Sequence, residues 1–115
     1  MEIRTVSSFI DYYEKLRERT LRLINVIPPE HIEWSYKAGK FSIADMIRHI
    51  AAIERYMFAE NISGRPSRYN GCGKELADGY DQVISFFKEM HRQTIQILEG
   101  IDDSELNEKC VTPGG

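Results

Sequence analysis

Three stretches of the chain carry apolar residues at mixed three- and four-residue steps, the spacing that lines one side of an α-helix. In the first, Phe9, Tyr12, Tyr13, Leu16, Thr20, Leu23, Ile24 and Ile27 form the stripe and predict a helix over Ser8 to Ile27. Ser8 with Asp11 three positions on has the form of a capping pair. Pro28 and Pro29 stop the helix, because neither has an amide hydrogen to donate. Glu14, Lys15, Arg17, Glu18, Arg19 and Arg22 fall on the opposite side and read as a solvated face. The second stretch predicts a helix over Ser42 to Ile62, with Ile43, Met46, Ile47, Ile50, Ile53, Met57 and Phe58 as its stripe. Ser42 and Asp45 repeat the capping pattern: the serine oxygen can accept from a free first-turn amide, and the aspartate sits at the positive end of the helix dipole. The third predicts a helix from Asp78, with Asp81 three residues on, to a stop at Gly100. Its stripe is Tyr80, Val83, Phe87, Met90, Thr94, Ile97 and Ile101, widened by Ile84, Phe86, His91, Ile95 and Leu98.

The connections are unequal. Pro28 to Phe41 is long for a helical bundle, and Ile32 and Trp34 are its apolar anchors, expected to cover one end of the core. SGRPSRYNGCGKE, after Ile62, is a loop by its glycine, serine and proline. Arg65, Arg68 and Lys74 make it locally basic, which reads as solvation rather than an anion site. After Gly100 the chain closes with IDDSELNEKCVTPGG, a short turn expected over Asp103 to Lys109. Val111 to Gly115 then has the character of a connection into a further element. Three amphipathic helices with no strand pattern or repeat predict an all-α up-and-down helical bundle, three long helices of an expected four. A fourth helix, from a C-terminal segment or a second subunit, would cover the stripes better than three can.

Composition narrows the classes of function. The length of 115 residues suits one domain over 1–115. A net charge of −3 gives no general attraction for nucleic acid or anionic lipid. No apolar run approaches the roughly 20 residues of a membrane helix, and MEIRTVSSF lacks the layout of a signal peptide. Cys72 and Cys110 are not in CxxC spacing, which suits reduced thiols and a cytoplasmic setting. Cys72, between two glycines, is expected at the surface, and no neighbouring base marks it as catalytic.

Four titratable residues stand out. His31 follows Glu30 in a proline-led turn and reads as surface. His49 falls on the flank of the second stripe, sharing that edge with Ile53 and Tyr56. Such a position suits a hydrogen-bonded boundary histidine, the commoner case, and equally a metal ligand or acid–base group facing a crevice. His91 lies on the broad apolar side of the third helix, as a hydrogen-bonded core histidine would. Glu54 is near the middle of the second stripe, where an ionised carboxylate needs a partner. The Trp34 indole, a tyrosine hydroxyl or an arginine would serve. Five residues separate it from His49, so a straight helix turns the two apart, unlike the three- and four-residue spacings of chelating pairs. Glu54 is therefore a supporting group before it is a ligand.

The Trp34–Glu54 stretch, with its leading tryptophan, G-x-x-S-I in the middle and H-I-A-x-x-E at the end, resembles the DinB-like (YfiT-like) family. LINVIP at Leu23–Pro28 looks like the end of that family's first helix. MHRQTIQILEGIDDSEL at Met90–Leu106 resembles its third helix and following turn. The resemblance implies a four-helix bundle, often a homodimer, holding a divalent metal, nickel or zinc, with three histidines. One comes from the second helix, which His49 matches, and two from an HxxxH pair on the last. No HxxxH occurs here; the two further ligands would belong to a helix after Gly115. A site of this kind leaves positions open for water or thiolate, and the resemblance implies a hydrolase or thiol-dependent transferase acting on a small molecule. The other expectation is a non-catalytic helical dimerisation module without metal.

Overall fold

The computed structural model describes residues 5–104, and every element in it is helical. Helix α1 spans Val6–Asn25, a short 3₁₀ turn covers Pro29–His31, and α2 spans Ile43–Ile53. A π-helical segment, Glu54–Phe58, leads from α2 into α3, Ala59–Ile62, and α4 spans Tyr80–Glu99. The far part of the turn expected over Asp103 to Lys109, Cys110 and the stretch from Val111 to Gly115 lie outside the described residues.

The ends of α1 differ from the sequence expectation. Thr5, in extended conformation, is the N-cap, and its side chain accepts from the Ser8 amide at 3.0 Å. Ser8 is thus already one turn inside the helix, and the Ser8–Asp11 pair caps nothing. Asp103 reaches back to accept from the Val6 amide at 2.8 Å, a carboxylate at the positive end of the helix. At the other end α1 stops at Asn25, two residues before Ile27, because Pro28 disfavours helical backbone in the residue before it.

Helix α2 begins as predicted. Ser42 Oγ accepts from the Asp45 amide, Asp45 Oδ2 accepts from the Ser42 amide, each at 3.0 Å, and the capping box is complete. The departure comes at Glu54. The Ala59 amide donates to the Glu54 carbonyl, a five-residue step in place of four. In an α-helix the residue stacked over Glu54 would be Phe58. The wider turn stacks Ala59 there, which is buried, and turns Phe58 outward to 55% exposure.

Helix α4 starts two residues later than expected, with Gly79 at φ 90° as its N-cap and no side chain capping it. Gly100 ends it as predicted. α4 packs against both α2 and α1, more fully against α2. The core gathers Ile24, Ile32, Ala44, Ile47, Ala51, Ala77, Val83, Phe87 and Met90. Ile32 anchors the first connection as expected. Trp34 does not: its ring is 57% exposed. The anchoring there is by backbone, since the Ile43 amide donates to Trp34 O and the Ala44 amide to Ile32 O. Tyr12, Leu16, Leu23 and Met46, counted in the stripes, also stand exposed.

Arg48, absent from any stripe, fixes both long connections to α2. Its guanidinium is fully buried. Nε donates to Ala77 O at 2.8 Å, Nη1 to Asp45 Oδ1 at 2.9 Å and Nη2 to Glu33 Oε2 at 2.5 Å. Glu33 also accepts from Ser42 Oγ at 2.9 Å. One buried cation therefore ties the helix start to the segments before and after it. Substituting Arg48→Met should destabilise the fold by about 3 kcal/mol, the usual scale for removing one member of a buried ionic network. Chemical denaturation measures it, and a loss below about 1 kcal/mol would mean the network behaves like a surface pair.

Candidate functional site

His49 projects from the middle of α2 onto a half-buried flank, as its place on the helical wheel predicts. Its Nδ1 lies 2.6 Å from the Tyr69 hydroxyl. The Tyr69 ring stands edge-on at 5.4 Å and 87°, and Phe41 approaches on another side at 6.2 Å. Tyr69 belongs to the glycine-rich loop, and its neighbour Arg68 holds the loop against the π segment. The Arg68 amide donates to Tyr56 O at 2.9 Å, and the guanidinium lies 4.8 Å over the Tyr56 ring. Partial burial, then hydrogen bonding and charge from Cys72, then Asp45, push the Tyr69 hydroxyl up to about 12. It is therefore a neutral phenol at physiological pH, able to donate to Nδ1 or accept from it. When it accepts from Nδ1–H, the Nε2 lone pair is free for a ligand. Nε2 itself has no hydrogen-bond partner among the described residues. Cys72 is half-buried rather than exposed, its side chain beside the Tyr69 hydroxyl and its carbonyl turned toward Arg48.

A second cluster lies on the other side of α2, built around Glu54. Its carboxylate is 1% exposed. Oε2 accepts from Arg17 Nε of α1 at 2.9 Å, and Oε1 lies 2.7 Å from His91 Nδ1 of α4. The sequence requirement that Glu54 find a partner is met, and arginine was among the groups expected. Arg17 also donates through Nη2 to the Tyr13 hydroxyl at 2.9 Å and sits over the Tyr13 and Phe87 rings. Burial, with the nearby Glu54 charge, raises the Tyr13 hydroxyl well above the ordinary phenol range. His91 Nε2 in turn meets Glu14 of α1. Arg17, Glu14 and Tyr13 lie among residues that read as solvated face or simple stripe, and nothing local marks them as partners of positions some 37 and 77 residues away. His31 is exposed in its 3₁₀ turn, as expected, and takes no part.

The two clusters are separate, as the five-residue spacing of His49 and Glu54 requires. Among the described residues no group of three His, Cys, Asp or Glu side chains is placed to hold a metal ion. His49 offers one free nitrogen without companions, so these residues do not make a metal site by themselves. Nor is any described helix long and apolar enough to cross a membrane.

An all-helical body with one oriented imidazole on the second helix is the arrangement on which the comparisons bear. The family model of the DinB superfamily matches residues 12–115, and the chain belongs to that superfamily. No curated protein and no solved structure matches it.

Glu54 should weigh heavily on stability. Glu54→Leu strands a mostly buried guanidinium and imidazole, and should cost about 3 kcal/mol in urea denaturation at neutral pH. An unchanged midpoint would show that the carboxylate is not what holds the cluster.

Proposed function

We propose that this chain is the helical body of a cytoplasmic, divalent-metal-dependent enzyme in which His49 is the ligand from the second helix. The metal would be nickel or zinc, and the reaction hydrolysis or thiol-dependent transfer on a small molecule, as the family resemblance implies. One observation carries the reading. Tyr69 engages His49 Nδ1 and leaves Nε2 uncommitted on an open flank, the hydrogen-bonding pattern that orients a ligating histidine. Further ligands would come from outside residues 5–104. Protein expressed from the complete reading frame should carry about one equivalent of metal per chain, and His49→Ala should lose it. Metal content unchanged by that substitution overturns the assignment. Tyr69→Phe should keep the stoichiometry at saturating metal but weaken affinity roughly tenfold, measured by competition with a chelator.

A different observation favours a second reading. Leu16 and Leu23 on α1, Met46 on α2 and Phe58 in the π segment are exposed apolar side chains. A non-catalytic module that pairs with a second copy would cover them, forming a homodimer without metal. Sedimentation equilibrium of the 115-residue chain at micromolar concentration should then give a dimer, and a monomer would dismiss this alternative.

A further inference from the structure

His91 is held between two carboxylates that come from two other elements. Nδ1 lies 2.7 Å from Glu54 Oε1 of the π segment, and Nε2 meets Glu14 Oε1 of α1. An ionised carboxylate only accepts, whereas a neutral imidazole has one N–H to give and one lone pair. With both carboxyls ionised, the two bonds coexist only when both ring nitrogens are protonated. We propose that His91 and Glu14 form a pH-operated latch between α4 and α1, closed by the imidazolium and released when the ring becomes neutral.

The environment decides which bond is given up. The Glu54 side chain is 1% exposed and has no water to turn to, so losing its partner leaves a buried acceptor unsatisfied. Glu14 is 48% exposed and can be hydrated where it stands. The neutral ring therefore keeps its proton on Nδ1 and drops Glu14. The groups facing His91 agree with this order. On α1 these are Tyr13, whose ring lies edge-on at 5.4 Å, with Glu14, Arg17 and Glu18. Glu54 comes from the π segment, and Lys88 lies on α4 itself. Arg17 already compensates Glu54. The imidazolium is what compensates Glu14, and once it is neutral Glu14 faces water beside Glu18, a like charge one turn away. Glu14 and His91 border a cleft of about 220 Å³ that Leu21, Phe87 and Lys88 also line, and release leaves a bare His91 Nε2 at its edge.

The direction of titration agrees. Burial pulls the ring toward neutrality, but the hydrogen bonds to Glu54 and Glu14 outweigh it, and His91 is raised above the ordinary histidine value. A group raised on folding stabilises the closed contact fully below about pH 6.5 and loses that stabilisation as pH climbs through its folded value. Each unit of upward displacement corresponds to about tenfold in the ratio of closed to open.

The test is imidazole NMR with backbone hydrogen exchange on the full chain and on Glu14→Gln, an exposed substitution. In the unsubstituted chain His91 should titrate above about pH 6.5. Protection of the α1 amides around Glu14, corrected for intrinsic exchange, should fall over the same range. A glutamine can accept from the imidazolium or donate to the neutral ring. Glu14→Gln should therefore lower the His91 titration and leave that protection level with pH. The latch is overturned if His91 titrates at or below the ordinary value. It is also overturned if Glu14→Gln leaves the titration unmoved, or if α1 protection does not change as the native ring deprotonates.

Discussion

A carboxylate with almost no contact with water has to be compensated from within the protein, and Glu54 is compensated by two different helices. Arg17 comes from α1 and His91 from α4, and each spends a charge-assisted hydrogen bond on one carboxylate oxygen. α1 and α4 are thereby fixed in register with the middle of the long second rod, over and above their apolar contacts. The π turn belongs to the same arrangement. It begins at Glu54 itself, keeping the carboxylate inside while turning Phe58 out and bringing small Ala59 to the packed side. Segments of this kind are often found where a helix must present a functional group.

Arg48 does for the connections what Glu54 does for the helices. Six residues separate the two on the same rod, one cation and one anion, each buried and each answered in part by groups distant in sequence. The Arg48 network satisfies backbone carbonyls of Ala77 and Cys72 together with the carboxylates of Asp45 and Glu33. It therefore stations the loop that bears Tyr69, and Tyr69 in turn fixes His49. The orientation of the candidate ligand rests on an ion pair that never touches it.

What the sequence disclosed and what it hid follow from how local each interaction is. Ser42 and Asp45 are three residues apart, so the capping box and the start of α2 could be read directly. Glu54 announced its need for a partner, because a charge in an apolar stripe is a local contradiction. Which partner is hidden, since Arg17 lies among ordinary surface charges and meets Glu54 only through the fold. The π turn left no sign in the spacing: a single wider step among four-residue steps looks like a ragged stripe. Leu16, Leu23, Met46 and Phe58 belong to the stripes yet stand exposed, because periodicity marks an apolar side without saying what covers it. Thr5 is the cap although Ser8, three residues later, carries the more regular capping pattern.

His49 and His91 show how far environment, rather than residue type, sets the chemistry of an imidazole. His49 meets a phenol on one nitrogen and, among the described residues, has no hydrogen-bond partner on the other, so its ring is oriented with one nitrogen left free. His91 meets a carboxylate on each nitrogen, so its hydrogen bonds and its charge cannot be varied independently. A ring of the first kind is suited to giving a lone pair to a cation. A ring of the second kind is filled by its own protein, and what it can exchange is a proton. His49 on α2 and Glu54 at the start of the π segment face different sides of the same rod. His49 on α2 and His91 on α4 therefore draw on different partners, Tyr69 for the one and Glu54 with Glu14 for the other.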